Sequence, residues 1–132
     1  MNNICIIPAR MGSSRFPGKP LEKICGIPMV EHVYKRTNLS KLSNLTIVAT
    51  CDNEIYEYVK SFGGEAVMTS NLHQRASDRC SEALEIVNNR SSFCYQKIVM
   101  VQGDEPLVDP FLVDKTFKLF NQYPKTFISN IA

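Results

Sequence analysis

Four short apolar runs, separated by amphipathic stretches, constrain this chain more than anything else in it. Ile4–Ile7, Leu45–Ala49, Ala66–Met68 and Lys97–Val101 read as strands, the first and last of them buried. Between them the spacing predicts helices. One covers Pro28 to Arg36, with Pro in its first turn and Val30, Val33 and Tyr34 on one face. A second opens at a cap on Asp52 or Asn53, carries Ile55, Tyr58, Val59 and Phe62, and ends at Gly63-Gly64. A third is capped by Ser77 or Asp78 and carries Ala83, Leu84 and Val87; a fourth opens at Pro110 with Val113, Phe117 and Phe120 on one side. Thr126–Ile131 is a last strand candidate. Strands alternating with helices imply the α/β class: a mostly parallel sheet with helices on both faces.

The 132 residues suffice for one domain with a modest core, and 44% hydrophobic with 21% charged content is ordinary for a globular chain. A net charge of +2, with basic residues scattered outside one loop, argues against a nucleic-acid partner. No stretch approaches the ~20 apolar residues of a membrane span, and Met1-Asn2-Asn3 is no basic prelude to a signal sequence. Five cysteines, odd in number, widely spread and without a Cys-x-x-Cys pair, argue against a disulfide framework or structural zinc. Free thiols in a reducing cytoplasm are the simplest reading. Cys51 lacks a sequence-adjacent histidine and is not expected to be a nucleophile.

In a parallel α/β sheet, ligands bind at the carboxyl ends of the strands. The loop after the first strand, residues 8–20, holds two glycines, three prolines and the cations Arg10, Arg15 and Lys19. Those cations converge only if the loop wraps around something anionic, with backbone near Ala9 and Gly12 approaching it. A Walker loop is excluded: five residues separate Gly12 from Gly18, and Pro20 rather than Ser or Thr follows Lys19. The ordinary alternative is a solvated basic turn. After the strand at 97–101 come Gln102-Gly103-Asp104-Glu105. Asp104 is the metal candidate, because Mg²⁺ takes carboxylate oxygens together with substrate phosphates; otherwise it caps a turn before Pro106. Gln102 can donate its amide to a carboxylate or hydroxyl, and Glu105 supports Asp104 or is solvated. His73 reads as a surface hydrogen-bonding residue more readily than as a catalyst.

Residues 6–21, Ile-Ile-Pro-Ala-Arg-Met-Gly-Ser-Ser-Arg-Phe-Pro-Gly-Lys-Pro-Leu, resemble the nucleotide-binding signature of the sugar-acid cytidylyltransferases, most closely the CMP-KDO synthetase group. Gly26-Ile27-Pro28-Met29-Val30, Val48-Ala49-Thr50-Cys51-Asp52 and Val101-Gln102-Gly103-Asp104-Glu105-Pro106-Leu107 agree in order and spacing, so the resemblance spans the chain. It implies a Rossmann-like three-layer α/β/α nucleotide-diphospho-sugar transferase fold, with residues 1–132 as the nucleotide-binding part. It implies CTP and a 2-keto-3-deoxy sugar acid such as KDO as substrates, Mg²⁺ as cofactor and cell-surface polysaccharide synthesis as destination. A homodimer is also implied. Arg10 and Lys19 would bind triphosphate and catalyse with Asp104, the metal ligand. Ala9, Gly12, Arg15, Thr50, Ser77, Asp78, Arg79 and Gln102 would line the nucleotide and sugar pocket. One segment departs from the resemblance. Where the family reads Ser-Gly-Thr before Asp-Arg, this chain has Arg75-Ala76-Ser77, which points to a KDO variant. Alternatives are another sugar or nonulosonic acid, or a non-catalytic nucleotide-binding domain. The family's greater length implies a truncated product or fragment, one metal carboxylate short, that binds CTP weakly and does not turn over alone.

Overall fold

The computed structural model describes residues 2–12, 18–73, 75–92, 94–122 and 128–131. In chain order the elements are β1 (Asn3–Pro8), β2 (Lys23–Ile24), β3 (Ile27–Pro28), α1 (Met29–Thr37), β4 (Leu45–Thr50), α2 (Asn53–Ser61), β5 (Ala66–Met68), α3 (Ala76–Arg90), β6 (Lys97–Val101), α4 (Pro110–Gln122) and β7 (Ile128–Ile131). A three-residue 3-10 turn, Lys19–Leu21, precedes β2.

Five strands form one sheet in the order β5-β4-β1-β6-β7, and every pairing in it is parallel. β1 lies in the middle, with Ile6 opposite both Ile47 and Met100. Strand side chains alternate between faces, which divides the core in two. Cys5, Ile7, Val48, Val99 and Val101 meet Val30, Val33 and Tyr34 of α1, Ile55 and Val59 of α2, and Val113 and Phe117 of α4. On the other face Ile4, Ile6, Ile47, Ala49, Val67, Ile98 and Met100 meet Cys80, Ala83 and Val87 of α3. The result is a three-layer α/β/α sandwich with, among the described residues, three helices on one face and one on the other. β1 is hydrophobic on both faces because both faces are covered.

Several local expectations change. Pro28 ends β3 and stands at the N-cap of α1 rather than inside its first turn. The cap of α3 is Arg75; Ser77 and Asp78 fall inside the first turn as exposed helical residues. A hairpin of β2 and β3 fills the loop before α1. Its two turn residues, Cys25 (φ 53°) and Gly26 (φ 82°), are both left-handed, as a tight primed turn demands. His32 on α1 pins this hairpin through Nε2 to the Ile24 carbonyl, 2.7 Å away. The side chain of Phe120 lies outside the described residues, as do the first residues of the Thr126–Ile131 candidate.

Two polar contacts fasten helices to their neighbours. Glu31 of α1, buried, accepts hydrogen bonds from Lys35 Nζ at 2.5 Å and from the Tyr58 hydroxyl on α2. The Lys35 bond first, and the Tyr58 bond next, hold its carboxyl below the ordinary range. Asp114 of α4 accepts from Ser40 Oγ at 2.5 Å, Leu42 N at 3.0 Å and Lys41 N at 3.2 Å, so it organises the turn leading into β4. Burial works against its charge, but these bonds prevail and its pKa is lowered.

Candidate functional site

Because the sheet is parallel, the loops leaving β5, β4, β1 and β6 share one edge. The chain runs from β1 to β4 and β5 on one side, then crosses to β6 on the other. The crevice between the carboxyl ends of β1 and β6 is therefore the switch point where α/β sheets take ligands.

Gly103 makes that crevice narrow. A Cβ at this position would lie 2.7 Å from the Pro8 carbonyl oxygen, so only glycine lets the turn after β6 rest on the end of β1. Backbone bonds from Glu105 N to Gln102 O and from Val108 N to Glu105 O fold residues 102–108 into two successive turns. Arg36 Nε of α1 holds their far end at the Val108 carbonyl, 2.8 Å away. The turn is made by backbone bonds, and the Asp104 carboxylate is not what caps it. That carboxylate instead faces Lys19 Nζ at 3.7 Å. The two side chains keep 56% and 36% of their exposure, so the pair is solvated and open to a ligand.

On the β1 side, the Ala9 N–H donates to the Ala49 carbonyl and Ala9 is buried, so this residue contributes backbone rather than side chain. Arg10 is exposed. The neck of the loop is closed by Gly18 N donating to Met11 O at 2.8 Å, and Gly18 takes the left-handed φ of 80° that directs Lys19 into its 3-10 turn. Among the described residues, no partner takes the N–H groups of Arg10 and Gly12. Arg15 lies outside the described residues.

The β4 and β5 ends complete the edge. Thr50 is fully buried, and its Oγ1 accepts the Asp52 N–H at 3.1 Å, so its hydroxyl shapes the turn. Arg79, in the first turn of α3, is 4% exposed. Its Nε donates to Thr69 Oγ1 at 3.1 Å and its Nη2 approaches Cys51 Sγ at 3.8 Å. A buried guanidinium with neutral partners supplies fixed positive charge behind the edge. Ser77 and Asp78 are exposed on the same turn, and Gln102 is half-buried beside Gly103. His73 is bound to Glu82 at 2.6 Å, and Glu82 also accepts the Ser70 N–H at 2.9 Å. Those bonds, Ser70 first and His73 second, lower the Glu82 pKa and make His73 a strap on the β5–α3 connection. Cys5 and Cys80 are buried in the core, where desolvation pushes both thiols up to about 12; all five cysteines are free.

The structure thus brings Lys19 and Asp104 together, with Arg10, Gly12 and Gln102 on the same edge. It sets Thr50 and Arg79 into the wall behind them. Sequence reasoning missed the tertiary partners of Asp52, which reads locally as a helix cap, and of Arg36, because Met11 and Val108 lie 41 and 72 residues away from them.

By class this is an open parallel α/β protein, with the solvated Lys19–Asp104 pair at the switch point where such sheets take ligands. Residues 4–132 match the cytidylyltransferase family, and the chain belongs to it. It is 44% identical, over 96% of its length, to an 8-amino-3,8-dideoxy-manno-octulosonate cytidylyltransferase of Shewanella sp. (strain W3-18-1), and covers 51% of that protein. The structure of a CMP:2-keto-3-deoxy-manno-octonic acid synthetase complexed with CTP superposes with a TM-score of 0.84 at 37% identity, over 95% of this chain and 49% of the other. A cytidylyltransferase from Leptospira borgpetersenii superposes with a TM-score of 0.75 at 26% identity, over 95% of this chain and 50% of its own. The chain spans about half the length of the relatives it matches. No helix among the described residues is long and apolar enough to cross a membrane.

Proposed function

We propose that this chain carries the nucleotide-binding part of an enzyme that transfers CMP from CTP to a KDO-type sugar acid, for cell-surface polysaccharide synthesis. The observation that carries the reading is the approach of Lys19 to Asp104 across the crevice between β1 and β6. The family and the CTP-bound relative support it. The anomeric hydroxyl of the sugar attacks the α-phosphorus of CTP. The new O–P bond forms as the bond from that phosphorus to the bridging oxygen breaks; pyrophosphate leaves and the hydroxyl proton is released. Negative charge builds on the phosphoryl oxygens, so catalysis is mainly positioning and charge neutralisation.

In this reading Lys19 and Arg10 hold the triphosphate, and the N–H groups of Arg10 and Gly12 approach its oxygens. Arg79 supplies positive potential from behind, and Gln102 faces the sugar. Asp104, a solvated carboxylate opposite a cation, suits a hard cation whose other ligands are phosphate oxygens. Mg²⁺ bound there would neutralise phosphate charge. Among the described residues no three ligating side chains cluster, and Asp104 is the carboxylate assigned to it. Free cysteines fit a cytoplasmic setting.

The 8-amino sugar acid of the Shewanella relatives is a second candidate substrate, favoured by 42–44% identity to several such proteins and by the Arg75-Ala76-Ser77 departure. Pyrophosphate release with CTP, Mg²⁺ and a panel of KDO, its 8-amino analogue and a nonulosonic acid tests the reading, with product mass as confirmation. CTP binding without turnover on any acid is the outcome expected of the nucleotide-binding part alone, and absence of CTP binding removes the reading.

A further inference from the structure

Asp52 stands at the N-cap of α2, where an aspartate normally turns its carboxylate to its own helix. Here it makes no such bond. Oδ2 instead accepts the N–H of Met11, 41 residues away, at 2.8 Å. The Asp52 backbone is fixed for this reach: its N–H donates to Thr50 Oγ1, and its carbonyl accepts Tyr56 N. The Cys51 thiol lies 3.7 Å from the same Oδ2, and Arg79 Nη2 lies 3.8 Å from that sulfur. A continuous polar path therefore runs from the first turn of α3, through the end of β4, to the loop after β1.

Met11 is held at both ends. Asp52 takes its N–H, and its carbonyl takes the Gly18 N–H that closes the loop neck. Arg10 and Gly12 flank this clamped peptide, and Lys19 follows Gly18. Fixing Met11 thus fixes the directions in which all three leave the neck. A helix forgoing a cap bond worth ~1 kcal/mol is what this cross-strand use of the carboxylate costs.

We infer that Asp52 is the positioning residue of the loop after β1, setting through the Met11 N–H the arrangement in which Arg10, Gly12 and Lys19 face a triphosphate. This rests on the proposal above that the loop takes the triphosphate of CTP.

Two substitutions separate loop positioning from helix capping. In Asp52→Asn an acceptor oxygen of the same reach remains. In Asp52→Ser the residue is an equally good helix cap, but its hydroxyl is too short to reach Met11. Amide exchange at Met11 by NMR, melting temperature, and calorimetric affinity for CTP and for inorganic tripolyphosphate are measured on the full chain. For Asp52→Ser we expect Met11 exchange at least ~10-fold faster and affinity for both ligands about 10-fold weaker, with the melting temperature little changed. For Asp52→Asn we expect both properties to stay near those of the unaltered chain. Unchanged Met11 exchange in Asp52→Ser overturns the inference, as does faster exchange with unchanged affinity for both ligands. Weaker CTP binding with unchanged tripolyphosphate binding also overturns it, by locating the effect away from the phosphates. Failure of the unaltered chain to bind either ligand overturns the functional proposal, while the exchange comparison still decides whether Asp52 holds the loop.

Discussion

Gly103→Ala places one methyl group where the site is narrowest. The new Cβ would sit 2.7 Å from the Pro8 carbonyl oxygen and 3.6 Å from Ala9 Cβ. The nearer neighbour is backbone at the end of the central strand, so no side chain can swing away. Restoring an ordinary contact requires β1 and the turn after β6 to part by roughly 0.7 Å or more, a strain of about 1–3 kcal/mol by analogy with other overpacked sites. In a chain of this size that lowers the melting temperature by roughly 4–15 °C. The displacement falls between Lys19 and Asp104, which lie on its two sides, so CTP affinity should drop by about 10-fold or more. Thermal unfolding by circular dichroism and calorimetric titration with CTP measure the two effects. Gly12→Ala is the stability control, because its Cβ meets nothing within 4 Å among the described residues. A Gly103→Ala chain that melts within a degree of the unaltered one and binds CTP equally well would refute the close-approach argument.

Lys19→Ala should leave the melting temperature nearly unchanged, because a solvated pair contributes about 0–1 kcal/mol. CTP affinity should fall by more than 10-fold, and equal affinity in a titration would remove Lys19 from the site. Asp104→Asn should bind CTP yet lose the Mg²⁺ dependence of that binding, read by titrating with and without the metal; retained dependence would make Asp104 only a partner of Lys19. Asp114→Ala strips three donors of their acceptor and should cost roughly 1–2 kcal/mol, measured as a lower urea midpoint. Glu31 and Asp114 both have folded-state pKa values lowered from the ordinary 4.5 and 3.8. Their stabilisation is therefore complete above those values and is lost as pH falls through the lower folded values. The urea midpoint should be flat near neutrality and decline below about pH 4.5, and a Glu31→Gln, Asp114→Asn double variant should show a shallower decline.

The sequence alone determined the four helices and the strands of the large sheet, since apolar runs and helical spacing are properties of a short window. With the α/β alternation they also placed the suspicious loops at one sheet edge, because parallel strands put every βα loop at the same end. The Ile-Pro-Ala-Arg and Gln-Gly-Asp-Glu-Pro segments were legible for the same reason. Where local signals competed, the window was too small. Asp52 satisfies the rules for a helix cap, and only the register of β1 beside β4 brings Met11 N–H within its reach. Ser77 and Asp78 are good caps by residue type, yet α3 starts at Ala76 with Arg75 at its N-cap. The β2–β3 hairpin escaped notice because Cys25 is an unusual residue for a left-handed turn position. Lys19 and Asp104 are far apart in sequence, and their approach depends on β6 crossing to the free side of β1 while Gly103 lets the two strand ends touch. Pairings of that kind are set by sheet order and close packing, which no local pattern of residues encodes.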